Sequence, residues 1–222
     1  SGRLDWHRNA IPLREEGYST ELIASEAINI INEKDNDRPL FLYIAFNAPH
    51  TPIEAPLKNI EAFSYIEDKR DQLYAANISS LDSEIGRILK AIEKKGILDE
   101  TIIIFFSDNG PVFDTSALAR VIGPNLLNAK GSPGNLSGSK GSTLEGGIRV
   151  PAVIWWKGVL ENSKSNQFIF VQDLLPTLLS ASGTKITEKD NFDGKDKWNN
   201  LKNNKIIPPK NAFVGARIQA DE

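Results

Sequence analysis

Six consecutive residues, Thr101 to Phe106, are all β-branched or aromatic, with no polar alternation. Such a run reads as a strand buried on both faces. It leads directly into Ser107-Asp108-Asn109-Gly110. Two oxygen-bearing side chains thus follow a central strand, just before a glycine that lets the backbone turn. In open α/β sheets, ligands bind outside the carboxyl ends of strands. Asp and Asn together suit a hard cation, since both offer oxygen. The same letters also make an ordinary Asp-Asn-Gly turn. These ten residues alone favour neither reading.

The rest of the chain sets this strand in a layered α/β pattern. Tyr18-Ser19-Thr20-Glu21 opens a helix, with Ser19 or Thr20 as its cap. Leu22, Ile23, Ala27, Ile30 and Ile31 form its apolar stripe. Pro39 to Phe46 reads as a second apolar strand and ends in Asn47-Ala-Pro-His-Thr-Pro52, a loop stiffened by two prolines. A short helix is expected over Pro56 to Phe63, and the longest helix over Asp68 to Lys95, stopped by Gly96. The long helix turns Leu73, Ala76, Leu81, Ile85, Ile88, Leu89 and Ile92 to one side. Asp71, Asp82, Glu84, Arg87 and Lys90 mostly face away. A right-handed crossover would then keep both strand ends, His50 and Asp108, on one edge. Pro111 to Ser139 is a loop too long for a mere connection. Val150 to Trp156 is a third strand, with Pro151 tolerated at its start. Phe168 to Ser182 reads as a helix or a strand running into a helix, with Asp173 near its entry. Residues 184–209 read as loop, and a last strand begins at 212–216.

Composition excludes several classes. A net charge of −3 and a pI near 5.6 give no reason to expect nucleic acid. No apolar run is long enough to span a bilayer. With no cysteine there is no disulfide, thiolate metal site or cysteine nucleophile. The chain lacks methionine and begins Ser1-Gly2, which reads as a piece of something longer.

Few residues carry chemistry. His50, between two prolines at a strand end, is poorly placed to fill a core. Its imidazole can donate to an oxyanion or move a proton near neutral pH. His7 lies among Asp5, Arg8 and Asn9 and reads as a surface residue. Lys140 sits in Gly138-Ser-Lys-Gly-Ser142, where the backbone can approach a ligand and the ammonium can neutralise an anion. Flexible surface loops use the same letters, and the spacing is not that of a P-loop. Glu145 and Arg149 are expected to pair with each other. Trp155 and Trp156 divide between core and rim. Asn77-Ile-Ser79 and Asn135-Leu-Ser137 fit the glycosylation triplet, although a helix is a poor place for the first.

Three stretches together resemble consecutive motifs of the type I sulfatases: Phe41 to Pro52 around His50, Ile103 to Gly110 around Asp108-Asn109, and Gly138 to Pro151 around Lys140. Tyr74 to Leu89 is similar to a helix of the same family. The likeness extends from about Asp5 to Trp198 and is strongest to the arylsulfatase B-like, N-acetylgalactosamine-4-sulfatase branch. The resemblance implies an alkaline phosphatase-like fold, a mixed sheet layered between helices, and hydrolysis of a sulfate monoester, either a sulfated sugar or an aryl sulfate. It implies that Asp108 and Asn109 are calcium ligands. His50 and Lys140 become the catalytic and substrate-binding pair, His50 contacting the ester and protonating the leaving alcohol, Lys140 binding a sulfate oxygen. An extracytoplasmic location, whether periplasmic, secreted or lysosomal, is expected.

The departures are informative. Family catalysis uses a formylglycine made from a Cys/Ser-x-Pro-x-Arg motif, and no such motif occurs here. The paired aspartates that complete the calcium site and the Lys-x-His segment are missing as well. Pro111 stands where a second glycine is common, and Asn77 where an apolar residue would be usual. Residues 1–222 therefore read as a partial catalytic domain without its nucleophile-bearing N-terminal part or its small C-terminal domain. Such a chain is expected to be inactive alone and to self-associate or need the missing segment. Two other readings stay open: a non-catalytic module binding sulfated glycans, and a phosphoesterase of the same superfamily.

Overall fold

The computed structural model describes residues 6–35, 37–112, 131–187 and 190–206. The chain divides into two compact units, residues 1–98 with 108–150, and residues 99–107 with 151–222.

The first unit is helical. A small antiparallel hairpin pairs β1 (His7–Arg8) with β2 (Ile11–Pro12), turning at Asn9 with φ +55°. His7 is exposed there, as expected of a surface residue. The hairpin is tied to α1 (Ser19–Glu33) by a bidentate Arg8–Glu26 pair. The α1 cap differs from expectation: Tyr18 is the N-cap and no side chain caps the turn. Thr20 instead points inward and is 1% exposed. Packing needs that side of the first turn, and the hydroxyl goes with it.

Helix α2 (Leu57–Ala62) and the long α3 (Lys69–Lys94) follow. Asp68 caps α3 by accepting from the Arg70 N–H at 2.8 Å, and Gly96, at φ +78°, follows its end. Helices α1 and α2 both pack on α3. Small residues line the α1–α3 face: Ala24, Ala27 and Ala76 are almost wholly buried, with Ile31, Leu81, Ile88, Ala91 and Ile92 around them. The buried side of α3 is more polar than its pattern predicts. Gln72, Asn77, Ser80 and Glu84 are buried, whereas Leu89 is exposed. Glu84, expected to face outward, is buried because Arg87 one turn on donates to its carboxylate at 2.5 Å.

Residues 39–46 correct a second expectation. They alternate in burial but form no strand and have no ladder partner among the described residues, so the first strand of the expected crossover is not formed. Phe41 and Tyr43 are 81% and 74% exposed, while Leu42, Ile44 and Phe46 are half-buried. The alternation in burial is what a strand-like sequence gives. A strand also needs a neighbour to accept its hydrogen bonds.

In the second unit, β3 (Ile103–Phe106) pairs antiparallel with β4 (Ala152–Trp155), Ile103 opposite Trp155 and Phe106 opposite Ala152. Thr101 to Phe106 is not buried on both faces: none of these residues is fully buried and Phe105 is 47% exposed. One neighbouring strand covers less than the sequence pattern anticipates. A 3₁₀ turn at Val171–Asp173 leads into α5 (Leu174–Ala181). The Asp173 carboxylate, 4% exposed, accepts from the N–H groups of Phe170 and Lys195 at 3.0 and 2.8 Å. It thereby fixes the segment leading to α6 (Trp198–Lys202), a helix inside the stretch expected to be loop. Trp198 packs on Trp156, ring centroids 5.7 Å apart, and the Trp156 indole donates to the Asp99 carbonyl. Trp155 is exposed and Trp156 half-buried. The strand expected at 212–216 lies outside the described residues. Among the described residues no helix is long and apolar enough to cross a membrane.

Candidate functional site

All four residues singled out by the sequence, His50, Asp108, Asn109 and Lys140, fall in the first unit. Beyond β3 the chain turns through Asp108, which is exposed, Asn109, half-buried, and Gly110, buried. The Asn109 amide Nδ2 donates to the Gly110 carbonyl at 3.0 Å. The Gly110 N–H donates to the Gly147 carbonyl at 2.8 Å. A Cβ on Gly110 would sit 2.0 Å from the Gly146 carbonyl oxygen, so only glycine fits. Gly146 is held as tightly from its other side, by the carbonyls of Ser137 and Gly138. The turn and the glycine segment are therefore locked backbone against backbone.

That lock places Lys140. Its N–H donates to the Pro111 carbonyl at 2.9 Å, so the lysine follows the Asp108–Pro111 turn in space although it is 32 positions from Asp108 (140 − 108). Gly138 and Gly141 flank it at φ +90° and +87°, a region open to glycine. Just beyond, the short helix α4 (Glu145–Ile148) carries the expected Glu145–Arg149 pair at 3.2 Å. The region 113–130 of the long loop lies outside the described residues. Gly131 approaches Pro111 from the far side, with the Tyr74 hydroxyl of α3 nearby. Burial raises the Tyr74 phenol above its ordinary pKa. Tyr74 is a neighbour of the turn that sequence reasoning used only as part of a helix pattern.

His50 is exposed on its own loop, whose Pro49 and Pro52 follow cis peptide bonds. Its N–H donates to the Asn47 carbonyl at 2.7 Å. Its ring Nδ1 lies 2.8 Å from the Thr51 carbonyl. A carbonyl only accepts, so Nδ1 carries the proton. Nε2 is then a base in the neutral ring and a donor in the cation. Among the described residues no hydrogen bond or ion pair joins His50 to Lys140. The backbone bond ties Lys140 to the Asp108–Pro111 turn, and His50 sits on a segment whose Glu54 carbonyl is bonded to α3. Asn77 is buried beneath that anchor, so it is closed to glycosylation, whereas Asn135 is exposed.

Asp108 and Asn109 have the right donor chemistry for calcium, which takes six to eight oxygens. Two side chains fall well short of that number. Among the described residues no group of three or more His, Cys, Asp or Glu stands close enough to hold a metal ion. These residues fit part of a calcium shell, and a calcium ion here would need oxygens from elsewhere.

Comparison with known proteins gives a consistent result. The family model described as Sulfatase matches residues 3–184. The uncharacterized sulfatase YdeN of Escherichia coli (strain K12) is 35% identical over 191 residues, covering 85% of this chain and 31% of that protein. Arylsulfatase J of Mus musculus is 32% identical over 186 residues, covering 83% of this chain and 29% of its own. Among solved structures, Ps i-CgsB in complex with k-i-k-neocarrahexaose superposes with a TM-score of 0.77 at 31% identity, over 89% of this chain and 41% of that one. The fold is thus α/β and alkaline phosphatase-like, as in those sulfatases, and incomplete. The chain spans about a third of the length of the curated relatives it matches.

Proposed function

The chain belongs to the sulfatase family, and from that premise we propose that it carries part of the active site of a sulfuric ester hydrolase acting on a sulfate monoester. The observation that carries the reading is the backbone lock that sets Lys140 beside the Asp108–Asn109 turn. The backbone of a lysine, whose ammonium suits a sulfate oxygen, thus lies next to a turn that carries two side chains suited to a cation. In this reading Lys140 binds a sulfate oxygen and takes up charge as the S–O bond breaks. His50 contacts the ester through Nε2 and, as the imidazolium, gives a proton to the departing alcohol oxygen. Asp108 and Asn109 supply two of the oxygens around calcium, which would polarise the sulfate when bound. The formylglycine nucleophile would have to come from a part of the protein outside residues 1–222, since no Cys/Ser-x-Pro-x-Arg motif lies within them. The substrate class is a sulfated sugar or an aryl sulfate, and an extracytoplasmic site of action fits it.

The same absence favours a second reading, a non-catalytic module that binds sulfated glycans with His50 and Lys140. A phosphoesterase with two metals would need more His and Asp than a chain with two histidines offers.

The test uses those two histidines, which give separate imidazole signals by NMR. Titration with an aryl sulfate and with a sulfated hexosamine is expected to move the His50 signal and leave His7 in place. Lys140→Ala should abolish the response. A His50 signal indifferent to both esters would overturn the proposal. Turnover of the aryl sulfate by these 222 residues alone is expected to stay at background; turnover lost in Lys140→Ala would show a complete catalytic site instead.

A further inference from the structure

Position 77 of α3 holds an asparagine on the face that packs inward, 3% exposed. Its side-chain Nδ2 donates to the Glu54 carbonyl at 2.7 Å and to the Tyr18 hydroxyl at 3.2 Å. Tyr18, at the start of α1, donates to the same Glu54 carbonyl at 3.0 Å. One carbonyl is therefore gripped by two helices. The amide orientation is fixed by this grip, because a flipped amide would set oxygen against oxygen. The Asn77 Oδ1 has no hydrogen-bond partner among the described residues. A buried acceptor without a partner is a cost, and an apolar side chain would avoid it. Stability of α3 alone does not account for the asparagine.

What the grip holds does account for it. Glu54 is four residues beyond His50. Between them, Pro52 has a restricted φ and Ile53 is 6% exposed. The stretch from the gripped carbonyl back to the imidazole is short and stiff. Its upstream side is closed by the His50 N–H bond to Asn47. Orientation fixed at Glu54 is thus carried to the ring.

We propose that Asn77, with Tyr18, is a positioning residue that sets the His50 imidazole by gripping the Glu54 carbonyl; the role rests on the sulfatase reading above, in which His50 faces the ester.

The inference is read without any ligand, on the full chain, from the two histidine imidazole signals. In Asn77→Leu, which keeps the branching at Cγ and removes both donated bonds, the His50 signal is expected to shift or split while His7 stays unchanged. Tyr18→Phe removes one bond from the same carbonyl and should move His50 in the same direction by a smaller amount. A side chain with only a packing role would lower the melting temperature and leave the His50 signal of the folded molecules where it was. If Asn77→Leu fails to fold, Tyr18→Phe decides alone. An unmoved His50 signal in every folded variant overturns the proposal. These outcomes are separate from the functional reading: a wild-type His50 that ignores sulfate esters sinks that reading, whatever the variants do in its absence.

Discussion

Gly110 and Gly146 pack so closely that a Cβ on Gly110 would lie 2.0 Å from the Gly146 carbonyl oxygen. Since that oxygen belongs to the backbone, neither side can rotate away. Gly110→Ala is expected to destabilise by about 1–3 kcal/mol through overpacking, and to displace Lys140 from Pro111. Gly86→Ala is the matched control. Gly86 lies within α3, and a Cβ added to it would meet nothing within 4 Å. Alanine there should stabilise by about 0.5–1 kcal/mol, from helix propensity. Thermal melts of the two variants should move in opposite directions.

The Arg8–Glu26 pair gives a pH dependence with a definite sign. The hydrogen bond from Arg8 holds the Glu26 carboxyl below its ordinary pKa. A carboxylate with a lowered folded pKa contributes stability above its unfolded pKa and loses it as pH falls through the folded one. Acidification should therefore loosen the β1–β2 hairpin from α1. Comparing melts of wild type and Glu26→Gln from neutral to acid pH should show a difference that closes as the solution is acidified. The effect should be small and fade with salt, because both side chains are exposed, 54% and 39%.

Calcium should bind this chain weakly. Asp108 and Asn109 supply too few oxygens, so a dissociation constant in the ~1 mM range is expected. At ~1 mM calcium the stabilisation would then be about 0.4 kcal/mol, from mass action. The melting temperature should barely move. A rise of many degrees, lost in Asp108→Ala, would mean that further ligands within the chain complete the shell.

Phe41 and Tyr43 stand 81% and 74% exposed on a segment without a ladder partner among the described residues. Exposed apolar strands with unpaired edges associate. The chain should form larger species as its concentration rises, measured by sedimentation velocity. The double variant Phe41→Ser, Tyr43→Ser should reverse this. Monodisperse wild-type protein across the concentration series would contradict it.

By itself the sequence determined α1, α2 and α3. The periodicity that ends at Gly96 gave α3 nearly to the residue, because period and stop signals are local. Glycines on both sides of Lys140 announced a backbone that others could approach. The letters of residues 39–46 likewise set an alternation in burial. Whether that chain becomes a strand, and whether Thr101 to Phe106 is covered on both faces, depends on partners that no local pattern supplies. Tertiary structure alone decided which polar groups went inside. Glu84 is buried because Arg87 reaches it, and Asn77 because two helices meet over one carbonyl. It also decided that Lys140 lies beside Pro111. That juxtaposition is a backbone contact between distant segments, made where an added Cβ would not fit, and a linear pattern of side chains cannot record it.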